Sequence, residues 1–327
     1  MGRGGKIPNM NVCGWSRRVS RRGFLRVSAV AVAGGTTYTQ NFGAESDGIV
    51  ATTTIAADAV RRVMGGGVAV KTLMGAGVDP HLYRARPSDL LAVKRARVLV
   101  HHGLGLEGRL GELVAGAAKA AVVVDLGKGV PRERLIFPEP SSDVADPHVW
   151  GDPVVWTGVV EHLAHALAGA GVVERAVASA GVSAFQAATE RLVKWGREIL
   201  EKIPESGRVL VTSHDAFNYL GRAFGLKVVG LQGLSTVAEA GVADVNRLTA
   251  FIRKQGVKAV FVESSVPPAA MKRIAELSGV RVGGELFSDS LGAFDGSVAR
   301  FGSEEEATGG YLGMMRHNLR TVAEGLA

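Results

Sequence analysis

One long helical stretch interrupts an otherwise regular alternation of strands and helices. A single helical pattern of about 30 residues runs from Val172 and ends at Pro204, with only Gly181 out of place in it. Before this stretch, apolar strands such as RVLVHHG and AVVVDLG alternate with amphipathic helices, and RVLVTS, KVVGLQ and KAVFVES do the same after it. Because such alternation produces mainly parallel sheets, the sequence predicts an α/β protein of two lobes joined by one long backbone helix.

The pattern divides the 327 residues into four segments. Length and an apolar content of 46% allow two domains of ordinary size with their own cores. The predicted segments are a targeting segment and tail (1–44), an N-terminal metal-binding lobe (45–171), a linking backbone helix (172–203) and a C-terminal metal-binding lobe (204–327).

The positive charge of the chain is confined to its N-terminal segment. The formal net charge is +7, and residues 1–44 contain seven Lys or Arg and no Asp or Glu. The charge of residues 45–327 therefore sums to zero. A nucleic-acid-binding domain carries its basic residues on the folded surface, so we exclude nucleic acid as a partner.

The basic segment has the features of an export signal. The stretch SRRGFLRVSAVAVAGG resembles the twin-arginine signal, with Arg26 where that pattern has Lys. The apolar run Val27–Ala33 is shorter than the ~20 residues that span a bilayer. Ala31-Val32-Ala33 offers a cleavage site between small residues. We therefore expect export by the twin-arginine route to the periplasm or another extracytoplasmic space, with a basic disordered tail as the alternative.

Cysteine use adds a second expectation about export. Cys13 is the single cysteine, and it precedes the paired arginines. No cysteine follows the apolar run, so the sequence predicts that the protein is not a lipoprotein. Removal of the signal would leave no cysteine to form a disulfide or bind a metal.

The tripeptide Asp-Pro-His occurs twice, in GVDPHLYRARPSD and in VADPHVWGDP. Its histidines, His81 and His148, follow apolar segments, as does His214 in VLVTSHDAF, and Asp289 lies in GGELFSDSLG. In parallel sheets, such loops form ligand sites. Imidazole and carboxylate are common ligands of transition metals. From spacing alone, a metal site and a purely structural role are equally open. For His101, His102, His162, His165 and His317 a structural role is the better interpretation.

These motifs, in this order, resemble the metal-binding solute receptors of manganese/zinc ABC importers, the cluster A-I, TroA-like family. The resemblance runs from about Gly48 to the C-terminus and includes FVESSVP and GGYLGMMRHNLRTV. It implies that His81 and His148 from one lobe, with His214 and Asp289 from the other, hold one Mn²⁺ or Zn²⁺ as cargo. It also implies an ABC importer permease as partner, a monomer, and binding without catalysis. Affinity should fall as the pH drops through the ordinary histidine pKa of about 6.5.

Two departures from the family pattern concern the choice of metal. The loop before His148 has only FPEPSSDVAD, without the His-rich insertion of many zinc-dedicated members. His214 stands where some manganese members have Glu, and this favours zinc. The alternative function is a metallohydrolase, which needs an open coordination position and a general base. A metal-binding adhesin is a third possibility, but the sequence contains no adhesive repeat.

Several neighbouring residues are candidates for supporting roles. Asp79 and Asp146 precede the prolines, and each either orients the histidine that follows or simply forms a turn. Tyr83, Trp150 and Phe217 are expected to shield the site from water. For Glu263, at the end of a strand, a role beside the site is the weaker interpretation.

Overall fold

The computed structural model describes residues 48–108, 110–117, 121–138, 143–293, 298–301, 304–307 and 309–327. The predicted targeting segment, residues 1–44, lies outside the described residues. Residues 42–327 form one structural unit, so the lobe boundaries at 171 and 204 stay predictions. No helix in the described part of the chain is long and apolar enough to cross a membrane.

The first half is built around a four-stranded parallel sheet with the strand order β2-β1-β3-β4. Its elements are β1 (Ile49–Ala51), α1 (Thr54–Val63), β2 (Val70–Thr72), α2 (Pro87–Arg95), β3 (Val98–His101), α3 (Leu110–Ala117), β4 (Val122–Asp125) and α4 (Pro153–Gly169).

Both faces of this sheet are buried. Ile49 and Ala51 of β1 belong to the main hydrophobic core, whereas Val50 between them packs into a second cluster with α2 and α3. This division follows from the alternation of side chains along a strand. It also explains why the strands read as continuous apolar runs in the sequence.

Side-chain caps fix where two helices begin. The apolar pattern predicts that the first helix begins at Ala56, but Thr53 accepts a hydrogen bond from the amide of Ala56, so α1 begins at Thr54. The pair Asp152-Pro153 predicts an N-cap followed by the first helical residue, and Asp152 does accept from the amides of Val154 and Val155 at the start of α4.

The long helix of the sequence pattern is α5 (Arg175–Leu200), which has 26 residues. Its buried Phe185 and Leu192 lie in one core with Trp156 of α4 and with Leu319 of the C-terminal helix. Gly181 is the point of closest approach to α1, where a Cβ atom would collide with the carbonyl oxygen of Arg62. The residue that interrupts the sequence pattern is therefore what lets α5 pack against the first half.

The second half contains shorter sheets. Strands β5 and β6 pair in parallel, as do β7 and β8, whereas β9 and β10 form an antiparallel hairpin. The elements are β5 (Val209–Thr212), α6 (Asn218–Phe224), β6 (Lys227–Gly230), α7 (Val242–Gln255), β7 (Ala259–Glu263), α8 (Ala269–Ser278), β8 (Arg281–Leu286), β9 (Val298–Phe301), β10 (Glu304–Ala307) and α9 (Tyr311–Leu326). Together with the first half, they confirm the α/β class with mainly parallel sheets.

Two details differ from the sequence prediction. The hairpin of β9 and β10 was not predicted, because three of the four residues of β10 are Glu and carry no apolar alternation. The helical pattern of the sequence predicts the start of α7 at Val237, but the helix begins at Val242, because Asp244 accepts a hydrogen bond from the amide of Gly241 and fixes the start there.

Candidate metal centre

The four predicted ligands converge on one point. His81, His148 and His214 lie in the connections that follow β2, β4 and β5, and Asp289 follows β8. One potential ligand atom from each residue lies within 4.8 Å of all the others. The Nε2 atoms of His81 and His148 are 3.3 Å apart. Asp289 Oδ1 lies 3.3 Å from the Nε2 of His148, and Asp289 Oδ2 lies 3.5 Å from the Nε2 of His214.

This cluster is buried and incompletely satisfied. His148 and His214 are fully buried, Asp289 is 1% exposed, and His81 is partly buried. Within the described residues, Asp289 Oδ1 and His214 Nε2 have no hydrogen-bond partner. Buried polar atoms without partners are costly, and a carboxylate facing bare imidazole nitrogens has the donor chemistry of a transition-metal site. The residues present therefore fit a divalent cation.

Asp146 orients the ring of His148. Its Oδ1 accepts hydrogen bonds from the His148 amide at 2.9 Å and from the ring Nδ1 at 2.8 Å. With Nδ1 bound to Asp146, the ring is oriented so that Nε2 faces the other ligands. In this copy of Asp-Pro-His, the carboxylate orients the histidine and does more than form a turn.

Asp79 acts differently in the first copy. Its Oδ1 accepts from the His81 amide at 2.8 Å, as in the second copy. Its Oδ2 accepts from the hydroxyl of Thr236 at 2.6 Å, in the connection after β6. Asp79 therefore forms the turn and joins the two halves of the chain.

Glu263 holds the third histidine in place. Its Oε1 accepts from the amides of Ser213 and His214, at 2.7 and 3.0 Å. Its Oε2 lies 2.7 Å from Nδ1 of His214. The role that the sequence favoured less is therefore the observed one. The available signal was position, because Glu263 ends the apolar strand β7, just as β5 ends shortly before His214.

The Asp289 carboxylate is positioned by groups that the sequence analysis did not identify. Its Oδ2 accepts from Ser265 Oγ at 2.9 Å and lies 3.2 Å from Ser288 Oγ. The side chain of Asn318 holds Phe287, two residues before Asp289. It accepts a hydrogen bond from the Phe287 amide at 2.9 Å and donates one to the Phe287 carbonyl at 2.7 Å. No spacing rule links these residues, since Asn318 belongs to α9.

The predicted aromatic shield is only partly formed. The Trp150 ring centroid lies 5.3 Å from that of His148, and its Nε1 donates to the carbonyl of Ser288 at 2.9 Å. Phe217 is buried in the main core. Tyr83 does not shield the site, because its hydroxyl donates to Asp89 and it packs with the second cluster.

The remaining histidines lie outside the ligand cluster. His102 is buried, lies 2.7 Å from Thr53 Oγ1 and stacks on Trp156. His162 and His317 contact backbone carbonyls. These contacts agree with the structural roles expected for them.

Electrostatics separates the ligands into two kinds. Burial disfavours the charged form of His148, but Asp146 and Asp289 outweigh it and raise its pKa to about 9. Burial likewise opposes protonation of His214, and Glu263 and Asp289 raise its pKa well above the usual value. Burial lowers the pKa of His81 to about 4. The pKa of Asp289, which burial would raise, is held well below its ordinary value by His214 and His148.

Proteins of similar sequence are metal-binding proteins. The manganese-binding lipoprotein MntA of Bacillus subtilis is 35% identical over 283 residues, which are 85% of this chain and 89% of MntA. The zinc-binding protein TroA of Treponema pallidum is 37% identical over 320 residues, 92% of this chain and 98% of TroA. The metal ABC transporter substrate-binding lipoprotein SloC of Streptococcus mutans is 27% identical over 290 residues, 85% of this chain and 90% of SloC.

The structure resembles a solved one. The structure of the periplasmic zinc-binding protein TroA superposes with a TM-score of 0.79 at 34% identity, covering 86% of this chain and 99% of that chain. Nothing among these proteins supports the metallohydrolase alternative.

These relatives correct the prediction about export. Twin-arginine export of a protein that is not a lipoprotein was expected, but MntA and SloC are both lipoproteins, so this prediction is wrong. The prediction depended on the Arg21-Arg22 segment being the processed signal and on the position of the single cysteine relative to that segment. Both steps depend on residues 1–44, and a weak apolar run does not fix where a signal ends.

A family model covers nearly all of the described chain. The model of the zinc-uptake complex component A, periplasmic, named ZnuA, matches residues 49–325. The match includes the four converging ligands and every described helix and strand except Leu326, the last residue of α9. Members of this family are metal-uptake components and not enzymes. The chain therefore belongs to the ZnuA family of periplasmic zinc-uptake components, as its fold and ligand cluster predict.

Proposed function

We propose that this protein binds one Zn²⁺ or Mn²⁺ through His81, His148, His214 and Asp289, and delivers it as cargo to the permease of an ABC importer. The observation that supports the proposal most strongly is the convergence of these four ligand atoms within 4.8 Å in a buried cluster. The relatives MntA and TroA are named for manganese and zinc binding, and SloC for its ABC transporter.

Equilibrium dialysis of the purified protein followed by elemental analysis tests this proposal. We expect one equivalent of zinc or manganese per chain after dialysis against either ion. A wild-type protein that retains neither ion would contradict the proposal. Hydrolysis of ester or phosphoester substrates by the loaded protein would instead support an enzyme.

The donor set favours zinc by ligand type. Three imidazole nitrogens and one carboxylate suit Zn²⁺, whereas Mn²⁺ prefers oxygen ligands. Zinc also binds most nitrogen and oxygen sites more tightly than manganese does. We therefore propose that zinc binds more tightly in vitro, and that metal supply decides which ion is carried.

We also propose that residues 45–171 and 204–327 act as two lobes that close little on loading. Hydrogen bonds join the two segments, from Thr236 to Asp79, from Asn218 to Asp146 at 3.0 Å and from Trp150 to Ser288. Helix α5 packs into a core that contains both segments, and a stiff helix resists a wide hinge motion.

Small-angle scattering should give the same radius of gyration for the metal-free and the zinc-loaded protein. The forward scattering should correspond to one chain, because all four ligands come from a single chain and no second copy is needed to complete the site. A clear decrease in radius on loading would contradict the small closure. A mass of two chains would contradict the monomer.

Zinc affinity should keep rising with pH until about pH 9, where His148 loses its proton. Metal and proton compete for the same imidazole nitrogen, and a histidine with a raised pKa must lose a proton before it binds. His148, with a pKa of about 9, faces Asp146, Asp289, His81 and His214, so it still carries a proton at neutral pH. His81, with a pKa of about 4, is already neutral there. The window thus lies above that of an ordinary histidine.

Competition against a chelator of known affinity, at several pH values and constant ionic strength, measures this dependence. Asp146→Asn removes a charge that raises the pKa of His148 and should move the dependence to lower pH. An affinity that stays constant over the whole range would show that loading displaces no proton.

A further inference from the structure

Basic side chains are concentrated in the segment that follows the first candidate ligand. Residues 82–97, the basic strip, contain five Lys or Arg and one Asp, whereas the charge of residues 45–327 as a whole sums to zero. The one acid, Asp89, is buried, and its carboxylate accepts hydrogen bonds from the Tyr83 hydroxyl and the Arg86 amide. The charge that the strip presents to solvent is therefore positive only. Its exposed cations are Arg84, Arg86, Lys94, Arg95 and Arg97.

Exposed leucines lie among these cations. Leu82, Leu90 and Leu91 are 55%, 47% and 46% exposed. In α2, Lys94 lies four residues after Leu90 and Arg95 four residues after Leu91, so each of these leucines shares a helix face with a cation. The strip therefore presents apolar and basic side chains to solvent together.

The cargo ion does not explain this positive charge. The strip begins directly after His81, which is the partly exposed member of the ligand cluster, whereas the other three ligands are buried. A positive field beside that ligand repels a divalent cation, and attraction of the ion would need carboxylates instead. The strip thus fits a negatively charged partner other than the cargo.

The composition of the strip favours a lipid surface over a protein surface. Trp, Tyr and Arg dominate contacts between proteins, whereas Lys and Leu are under-represented there. The strip contains no Trp, and the hydroxyl of its one Tyr, Tyr83, is bound to Asp89. Leucines beside Lys and Arg are typical of segments that lie on anionic membranes, because the headgroups attract the cations and the interface accepts the apolar side chains.

We propose that the basic strip binds the anionic phospholipid headgroups of the membrane in which the importer lies. In this contact the leucines enter the headgroup layer and the cations bind phosphate groups. Because the strip adjoins His81, the contact holds the metal site close to the permease that receives the ion. The importer and its membrane come from the proposed function, on which this inference rests.

Co-sedimentation with phospholipid vesicles tests the inference. The chain from residue 42 onward is used, because it forms a structural unit of its own and lacks the basic N-terminal segment, whose seven cations would bind lipid by themselves. It should bind vesicles that contain phosphatidylglycerol more tightly than vesicles of phosphatidylcholine alone, and added salt should weaken this binding. Equal binding to the two kinds of vesicle would contradict the inference.

The variant Arg84→Gln/Lys94→Gln/Arg95→Gln should bind the anionic vesicles about 100-fold more weakly, because each Lys or Arg near such a surface contributes about fivefold. Leu90→Ala/Leu91→Ala should also weaken the binding but leave its salt dependence unchanged, because it removes apolar surface and no charge. A leucine variant that binds like the wild type would show that lipid does not take up these side chains.

Arg191→Gln/Lys194→Gln/Arg197→Gln is the matched control. It removes the same charge from exposed positions of α5, outside the strip. It should bind the anionic vesicles nearly as the wild type does. Circular dichroism of all variants checks that they fold.

Zinc affinity separates this inference from the proposed function. The substituted residues lie outside the ligand cluster, so every variant should bind zinc as the wild type does. A wild type that binds no zinc or manganese contradicts the proposed function, whereas vesicle binding decides the lipid contact. If the strip variant and the control lose vesicle binding equally, net charge explains the attraction and the inference fails. If the strip variant keeps wild-type vesicle binding while cells that carry it lose zinc uptake, the strip contacts the permease instead and the inference fails.

Discussion

Replacing His214 by Ala should weaken zinc binding more than about 100-fold, because loss of a ligand costs more than the ~10–100-fold cost of losing a group that only orients one. His214 is fully buried, and its Nε2 has no other partner among the described residues. The Ala side chain supplies no donor atom. Only His81, His148 and Asp289 would remain to hold the ion.

Titration against a competing chelator measures this loss. His165→Ala is the matched control, since His165 is an exposed histidine of α4 outside the ligand cluster, and its affinity should equal that of the wild type. Glu263 keeps its hydrogen bonds from the Ser213 and residue 214 amides in the variant, so the fold should survive. Wild-type affinity in a folded His214→Ala protein would remove this residue from the proposed site.

Replacing Trp156 by Ala should lower the free energy of unfolding by about 3–5 kcal/mol, the usual cost of deleting a large aromatic side chain from a core. Trp156 is fully buried in the core that α4 shares with α5 and α9. Its ring stacks on His102 and on Tyr311, with centroids 5.8 and 6.0 Å apart. Hydrogen bonds hold both neighbours, His102 to Thr53 and Tyr311 to the carbonyl of Trp150, so they resist a shift into the cavity.

The matched variant is Trp156→Phe, which should cost much less. The indole Nε1 of Trp156 is buried without a hydrogen-bond partner among the described residues, so Phe removes an unsatisfied donor and keeps an aromatic ring. Urea unfolding of the metal-free proteins measures both values, since a bound ion would add its own stabilisation. Equal losses for Ala and Phe would contradict this account of the core.

Much of the fold follows from local patterns in the sequence. The apolar runs gave the strands of the first half, and Asp152 with Pro153 gave the start of α4. The hairpin of β9 and β10 has no such pattern, and it forms beside α9, an element that follows it in the chain. Local periodicity therefore does not predict the pairing of these two strands.

The export prediction failed for a related reason. It treated the position of one cysteine relative to one short apolar run as decisive, and the lipoprotein relatives contradict it. Processing of a signal depends on recognition by other proteins and not on the packing of this chain. Physical rules for helices and strands have little bearing on it.

The two copies of Asp-Pro-His separate the contacts that local sequence determines from those that it does not. In both, the Asp carboxylate accepts a hydrogen bond from the His amide, at 2.8 Å for His81 and 2.9 Å for His148. The tripeptide determines this turn, because both partners lie two residues apart. The sequence likewise predicted that the three candidate histidines follow apolar segments, and they lie in the connections after β2, β4 and β5.

The tertiary structure decided what the second oxygen of each carboxylate does. Asp79 accepts from Thr236, whereas Asp146 accepts from Asn218 and also holds the ring of its own histidine. The serines that engage Asp289 were likewise invisible in the sequence. These contacts join residues far apart in the chain, so they depend on how the two halves pack around α5, which no short stretch of sequence specifies.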